Sequence, residues 1–177
     1  MQYLQKVLSD GVVTLKEITN FDAEVLHEML SDKDLCDKAG LIVHTHINQT
    51  LDFIYEGNYA ANSGYQYFYG IFNEDDVLVG LINLFNIDFI KNTGEYGYFI
   101  SSKHTRKSYM IRSIKLLSNY LLENTKLEAI NVYVDTSNNA SLALAKKLNL
   151  KEINRGVEED QSSRSIEMIQ FVITEKL

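Results

Sequence analysis

Near residue 101 the apolar side chains change their spacing. Residues 95–101, Glu-Tyr-Gly-Tyr-Phe-Ile-Ser, are aromatic and β-prone, the composition of a strand. A polar, basic stretch follows: Ser102, Lys103, His104, Thr105, Arg106, Lys107 and Ser108. Beyond it Met110, Ile111, Ile114, Leu117 and Leu121 recur at three- and four-residue spacing, which predicts a helix to about residue 124. A strand that feeds a helix through a short turn lays that helix on a sheet. The chain is thereby confined to the mixed α/β and α+β classes.

The flanking sequence extends this pattern. Residues 12–18 predict a first strand. Thr19 or Asn20 caps a helix to about Leu30, with Val25, Leu26, Met29 and Leu30 on its apolar face. Residues 32–47 read as irregular and polar. A second helix is expected over 50–61, with Leu51, Ile54 and Tyr55 inward. Residues 67–72 and 77–85 flank the turn Asn73-Glu74-Asp75-Asp76 and read as a hairpin. Residues 92–94 make a second turn, and 129–134 a further strand. Residues 138–148 predict a short helix with Leu142, Ala145 and Leu148 on one face. A charged loop over 158–165 precedes a last strand at 166–173, and another strand is expected near 151–155. The order is β-α-α-β-β-β-α-β-α-β, a mixed sheet with helices packed on it. With no proline and no Gly/Ser linker, residues 1–177 read as one continuous domain.

Charge and cysteine usage narrow the function classes. The net charge of -7 argues against nucleic acid as a partner. It suits a cationic substrate, a polyamine or a basic protein tail, and equally suits acidity kept for solubility alone. No apolar run approaches the ~20 residues that span a bilayer, so no membrane partner is expected. The opening MQYLQKVLSDGVV lacks the basic start and apolar stretch of a signal peptide. The single cysteine, Cys36, excludes an internal disulfide, and a cytoplasmic location is expected.

Four segments, in this order and spacing, resemble the GNAT family of acyl-CoA-dependent N-acetyltransferases, and within it the ribosomal-protein (Rim-type) branch. VVTLKEITNFDAEVL is similar to that branch's first strand and helix, and FYGIFNEDDVLVGLINLFNID to its central hairpin. GEYGYFIS is similar to its fourth strand, and DTSNNASLALAKKLNL to its N-x-x-S/A…A-x-x-L-G-F segment. The resemblance covers nearly the whole chain. It implies acetyl-CoA as cosubstrate and an amine-bearing acceptor, either a small molecule or a protein N-terminus. A homodimer stays open.

An enzyme of this kind must hold a pyrophosphate and align a thin pantetheine arm. Free N–H groups at a helix start, with the positive end of the helix dipole, do the first. The resemblance assigns that task to Thr105, Arg106, Lys107, Ser108, Tyr109 and Met110, in register with the family's Q/R-x-x-G-x-G/A turn. Three positions depart: Thr105 replaces Gln or Arg, Ser108 the glycine and Met110 the small residue. A non-glycine residue in a left-handed conformation costs on the order of 1–3 kcal/mol. Arg106, Lys107 and Lys103 bring compensating charge. The plain alternative is a solvated basic loop capping a helix.

The strand Tyr98–Ser101, with Phe99, Ile100 and Ser101, is expected to align the pantetheine; the resemblance implies that it splays from residues 129–134 and that the pantetheine amides pair with its exposed backbone. A backbone N–H near Phe99 or Ile100 would stabilise the oxyanion. The resemblance places Asn138 against the pantetheine, or as a simple helix cap, and Ser141 near the sulfur as acid for the leaving thiolate. Ala145 stands where many relatives carry a tyrosine acid. Glu95 is the expected base, acting through water, or a strand-edge charge. His44 and His46 lack nearby carboxylates, so no metal is expected. Tyr55, Tyr59, Tyr65, Tyr67 and Tyr69 read as packing or as an acceptor groove. A rival from another class is a non-catalytic GNAT-fold protein that binds a partner or senses CoA, with a degenerate turn at Ser108 and Met110.

Overall fold

The computed structural model describes residues 6–159 and 165–177. Two short strands open it, β1 (Leu8–Ser9) and β2 (Thr14–Lys16). The expected strand over 12–18 is cut short by a turn. Gly11 takes φ 87°, and the Asp10 carboxylate accepts the Val12 and Val13 N–H groups, each at 2.9 Å. A short 3-10 turn leads into α1 (Ala23–Leu30), where Val25 lies exposed rather than inward.

The stretch expected to be irregular holds a helix, α2 (Lys33–Ala39). Asp32 caps it by accepting the Asp34 and Leu35 N–H groups, and Gly40 ends it at φ 66°. Those are ordinary start and stop signals. Next comes α3 (Ile47–Asn62), whose buried residues are Thr50, Ile54, Gly57 and Ala61. Tyr55, expected inward, is 69% exposed and stacks on Tyr59. Gly57 admits the Phe68 ring, whose nearest atoms would stand 2.5 Å from a β-carbon there.

The remaining elements are β3 (Tyr67–Phe72), β4 (Leu78–Asp88), β5 (Thr93–Ile100), α4 (Tyr109–Asn124), β6 (Ala129–Asp135), α5 (Asn139–Lys147), β7 (Lys151–Glu159) and β8 (Ser165–Ile173). The extra strand near 151–155 is present as β7 and is longer. Of the charged loop expected over 158–165, residues 160–164 lie outside the described residues, while its ends belong to β7 and β8.

The strands form one sheet in the order β1-β2-β3-β4-β5-β6-β8-β7. Every neighbouring pair is antiparallel except β5 and β6. Because strand residues alternate faces, each face of the sheet carries its own core. Tyr69, Ile82, Tyr96 and Val132 pack with Ile114 and Leu117 of α4 and Leu148 beyond α5. Phe68, Leu81 and Phe99 pack with Leu26 and Leu30 of α1, Cys36 of α2 and Ile54 of α3. Two helical layers thus sandwich the mostly antiparallel sheet expected from the sequence. No helix among the described residues is long and apolar enough to cross a membrane.

Candidate active site

β5 keeps its antiparallel partner throughout and loses its parallel one halfway. It stays paired with β4 as far as Gly80 and Ile100, whereas its last partner in β6 joins Glu95 to Asn131. Beyond that pair the strands fork. Ser101 N–H donates to the Val79 carbonyl at 2.9 Å. Hydrogen-bonding direction alternates along an antiparallel strand, so the backbone groups of Tyr98 and Ile100 point into the fork. Of the two residues expected to offer an oxyanion donor, Ile100 presents its N–H there. The Phe99 N–H is directed at β4, and its side chain is buried between β5 and the α1–α3 layer.

The fork opens onto the turn before α4. Ser101 N-caps a short 3-10 segment, its hydroxyl accepting the Lys103 N–H. Arg106 and Ser108 then take φ 63° and 62°. The first hydrogen bond into α4 runs from Arg112 N–H to the Ser108 carbonyl. The N–H groups of Tyr109, Met110 and Ile111 therefore have no partner among the described residues. Alternating left-handed residues at a helix N-terminus form an anion-binding concavity, and the helix dipole adds positive potential. Ser108 has thus adopted the conformation usually reserved for glycine. Met110 and Tyr109 are buried under the turn, and the Tyr109 hydroxyl donates to Glu74 at 3.0 Å.

Arg106 has no ion-pair partner among the described residues, and Lys107 sits 5.9 Å from the Tyr109 ring centroid. Lys103, expected to add charge at the turn, is instead ion-paired with Glu28 of α1. His104 lines the cavity, and its buried Nδ1 has no partner among the described residues.

Fork and turn share a cavity of about 860 Å³. Its walls include Phe99, Ile100, Thr105, Arg106, Lys107, Ser108, Tyr109, Met110, Asn138 and Ser141, ten of the residues singled out from sequence. Ser101 and Glu95 are outside the lining. Glu95 belongs to the last paired position of the fork, and its Oε2 accepts from the Asn86 amide at 3.2 Å. By strand alternation Glu95 faces the α1–α3 layer, and Tyr98 the opposite layer, with Ser141 of α5.

Asn138 is the N-cap of α5. Its Oδ1 accepts the Ser141 N–H at 3.1 Å, and its Nδ2 donates to the Lys38 carbonyl at 3.2 Å. The amide thus ties α5 to the end of α2. Helix α2 contributes Asp32, Asp34, Leu35, Lys38 and Ala39 to the cavity wall. Sequence reasoning missed this wall, although Asp32 and Gly40 are a legible cap pair. It also missed the side chain of Tyr98, a residue named only as the start of the strand; its phenol lines the cavity with Ser141 and is raised in pKa, chiefly by burial. The signal was its position two residues after Tyr96, on the same strand face.

His44 and His46 are not among the residues that line the cavity. His44 bonds Thr50, and His46 caps α3. Cys36 is buried, with its thiol pushed up by desolvation and then by the charges of Asp32 and Asp37.

A family model described as the acetyltransferase (GNAT) domain matches residues 13–151. No curated protein matches the chain in a sequence search. Solved structures resemble it closely in shape and weakly in sequence. A spermidine N-acetyltransferase from Vibrio cholerae, solved with CoA and spermine, has a TM-score of 0.79 at 18% identity, over 93% of this chain and 96% of that one. RimL, a ribosomal L7/L12 α-N-protein acetyltransferase solved with coenzyme A, has a TM-score of 0.82 at 14% identity, over 96% and 98%. An acetyl transferase from Salmonella typhimurium that modifies the N-terminal serine of ribosomal protein L7/L12 has a TM-score of 0.84 at 15% identity, over 97% and 100%.

Proposed function

This chain belongs to the GNAT acetyltransferase family, and on that premise we propose that it carries an acetyl group from acetyl-CoA to a primary amine by direct attack. It is an acyltransferase with acetyl-CoA as cosubstrate. The finer assignment, an amine on a protein N-terminus such as a ribosomal protein's or on a small polyamine, is supported by the kinds of acceptor named for its structural neighbours. An overall charge of -7 and the Asp32 and Asp34 side chains on the cavity wall suit a cationic acceptor.

The observation that carries the proposal is the fork that closes at Glu95 and Asn131 and opens onto unpartnered N–H groups at the start of α4. The N–H groups of Tyr109, Met110 and Ile111, with Arg106 and Lys107 beside them, hold the pyrophosphate. The fork-facing backbone of Tyr98 and Ile100 pairs with the pantetheine amides as an added strand would. Ile100 N–H stabilises the oxyanion. Glu95, on the α1–α3 face, takes the amine proton through water as the C–N bond forms. Ser141, on the other face, gives its proton to sulfur as the C–S bond breaks. Asn138 holds the Ser141 end of α5 in place.

The left-handed conformation of Ser108 favours the enzyme over a non-catalytic scaffold, because the replacement leaves the turn's shape intact. One sheet running from β1 to β8 supports a single domain, and the lone buried thiol of Cys36 supports a cytoplasmic setting.

Calorimetric titration with acetyl-CoA is the test. Micromolar binding that Arg106→Glu weakens about ten-fold, some 1.4 kcal/mol, supports the proposal. Turnover with spermidine or a serine-led peptide then assigns the acceptor. No binding at millimolar acetyl-CoA overturns it.

A further inference from the structure

The turn before α4 is held from outside the cavity. Tyr109 is the first residue of that helix and follows Ser108, whose φ of 62° lies in the left-handed region. The Tyr109 ring is buried, and its hydroxyl donates to Glu74 Oε2 at 3.0 Å. An ionised carboxylate only accepts, so the direction of this bond is fixed. Glu74 is exposed, stands outside the cavity lining and belongs to the turn between β3 and β4. That turn is itself well held. Asn73 Oδ1 accepts the Asp75 N–H at 3.1 Å and the Val77 N–H at 2.9 Å, and Asp76 is ion-paired with Lys16 of β2. Lys107 stands 5.9 Å from the centroid of the Tyr109 ring, within cation–π range. One ring thus joins the hairpin turn to Ser108 and Lys107.

We propose that Glu74 is a positioning residue for acetyl-CoA: by holding the Tyr109 hydroxyl it keeps the Ser108 turn in its anion-binding shape, a brace that a glycine at 108 would make unnecessary. A residue in a sparsely populated backbone region stays there only when its surroundings over-determine it. The Ser108 side chain makes no capping bond, so the constraint comes from its neighbour. With Tyr109 tied at its hydroxyl and at its backbone, the N–H groups of Tyr109, Met110 and Ile111 keep a common direction, and Lys107 stays beside them. The charge of Glu74 works in the opposite sense. Its carboxylate is within electrostatic reach of Lys107 and Arg112 and offsets part of the positive potential that draws an anion. Positioning and repulsion therefore predict opposite effects when the side chain is removed. The inference rests on the acyltransferase reading above, in which this turn holds the pyrophosphate.

The experiment measures acetyl-CoA affinity by calorimetry, and KM and kcat by free-thiol release with spermidine and a serine-led peptide as acceptors. It compares the unaltered chain with Glu74→Ala, Glu74→Gln, Tyr109→Phe and Asp75→Asn, and repeats Glu74→Ala in a Ser108→Gly background. Glu74→Ala is expected to weaken acetyl-CoA binding about five-fold and to raise its KM by the same factor, with kcat at saturating acetyl-CoA within about two-fold. Glu74→Gln keeps an acceptor and drops the repulsive charge, so its affinity should equal or exceed that of the unaltered chain. Asp75→Asn removes a charge from the same turn without touching the bond to Tyr109, and should bind within about two-fold. In the Ser108→Gly background Glu74→Ala should cost less than about two-fold, because glycine holds the turn's conformation without a brace. Unchanged or tighter binding by Glu74→Ala overturns the inference, as does an equal loss with and without the glycine. If Glu74→Ala does not fold, Tyr109→Phe takes its place with the same two outcomes. Absence of acetyl-CoA binding by the unaltered chain removes the acyltransferase reading itself, an outcome distinct from these.

Discussion

Gly97 on β5 lies so close to its β4 partner Asn83 that a β-carbon on the glycine would stand 2.6 Å from the Asn83 Oδ1 atom. The reason for glycine here is close approach, since Gly97 is not among the residues with positive φ. The obstructing atom ends a half-buried side chain that can move, with the Phe85 ring 3.2 Å away behind it. Gly97→Ala is expected to destabilise the fold by about 1–3 kcal/mol, the usual cost of overfilling a packed site. In an Asn83→Ala background the cost should shrink to a fraction of that. Urea unfolding midpoints of the four proteins, at constant slope, check the coupling. Equal costs in both backgrounds contradict it.

Ser108 offers the opposite test. At φ 62° and ψ 11° it holds a left-handed conformation that disfavours a β-carbon by roughly 1–2 kcal/mol. Ser108→Gly relieves that strain, partly offset by the greater freedom of glycine in the unfolded chain. The expected net is a thermal midpoint about 2–4 °C higher per kcal/mol retained. Acetyl-CoA binding should be equal or tighter, because N–H groups bind the anion. Ser108→Val should lower both, since branching at the β-carbon makes positive φ harder. Calorimetry and a melting curve read the two effects separately.

These two sites show where sequence was informative and where it was silent. The strand-turn-helix around residue 101 was legible because its apolar period changes within eight residues. The departure at Ser108 was legible too, but its backbone conformation was not. The inward face of α3 was misread at Tyr55. Its buried positions are Thr50, Gly57 and Ala61 beside Ile54, residues that fit by small size and hydrogen bonding and escape a count of large apolar side chains. Helix α2 is short, and only Cys36 is buried among its residues, so it has no apolar stripe to detect. The fork depends on where β5 leaves β6, a pairing between segments more than thirty residues apart. Its end at Glu95 and Asn131 cannot be read from either segment alone.

The lowered pKa of His44 makes stability depend on pH. Its partner, the Thr50 hydroxyl, is fully buried and lies 2.8 Å from His27 Nδ1 and 2.9 Å from His44 Nδ1, joining α1, α3 and the segment between them. The His44 pKa is lowered, first by desolvation and then by His27. The unfolded imidazole gains its proton near pH 6.5, and the folded one only at lower pH. In that window the unfolded state binds more protons, so stability falls as pH drops below about 6.5 and is level above it. His44→Gln should flatten the decline without altering the plateau's pH range. Urea midpoints from pH 5 to 8 measure it, and an unchanged slope in the variant would exclude His44 as the source.

Asn138 separates two effects that one substitution would blur. Its Oδ1 caps α5 and its Nδ2 holds the Lys38 carbonyl at the end of α2. Asn138→Ala removes both, and loss of the cap alone costs about 1 kcal/mol. Asn138→Asp keeps the cap acceptor, adds negative charge at a helix N-terminus where the dipole favours it, and abolishes the donor to Lys38. Its global stability should therefore stay within about 0.5 kcal/mol of the unaltered chain, the ordinary range for an exposed substitution. Amide hydrogen exchange in α2 should nonetheless speed up in both variants, because that helix loses its tie to α5. If α2 is a wall of the acyl-CoA cavity, acetyl-CoA should slow its exchange in the unaltered chain and slow it less in Asn138→Asp. Equal protection in the two proteins would show that the Asn138–Lys38 bond does not hold the wall in place.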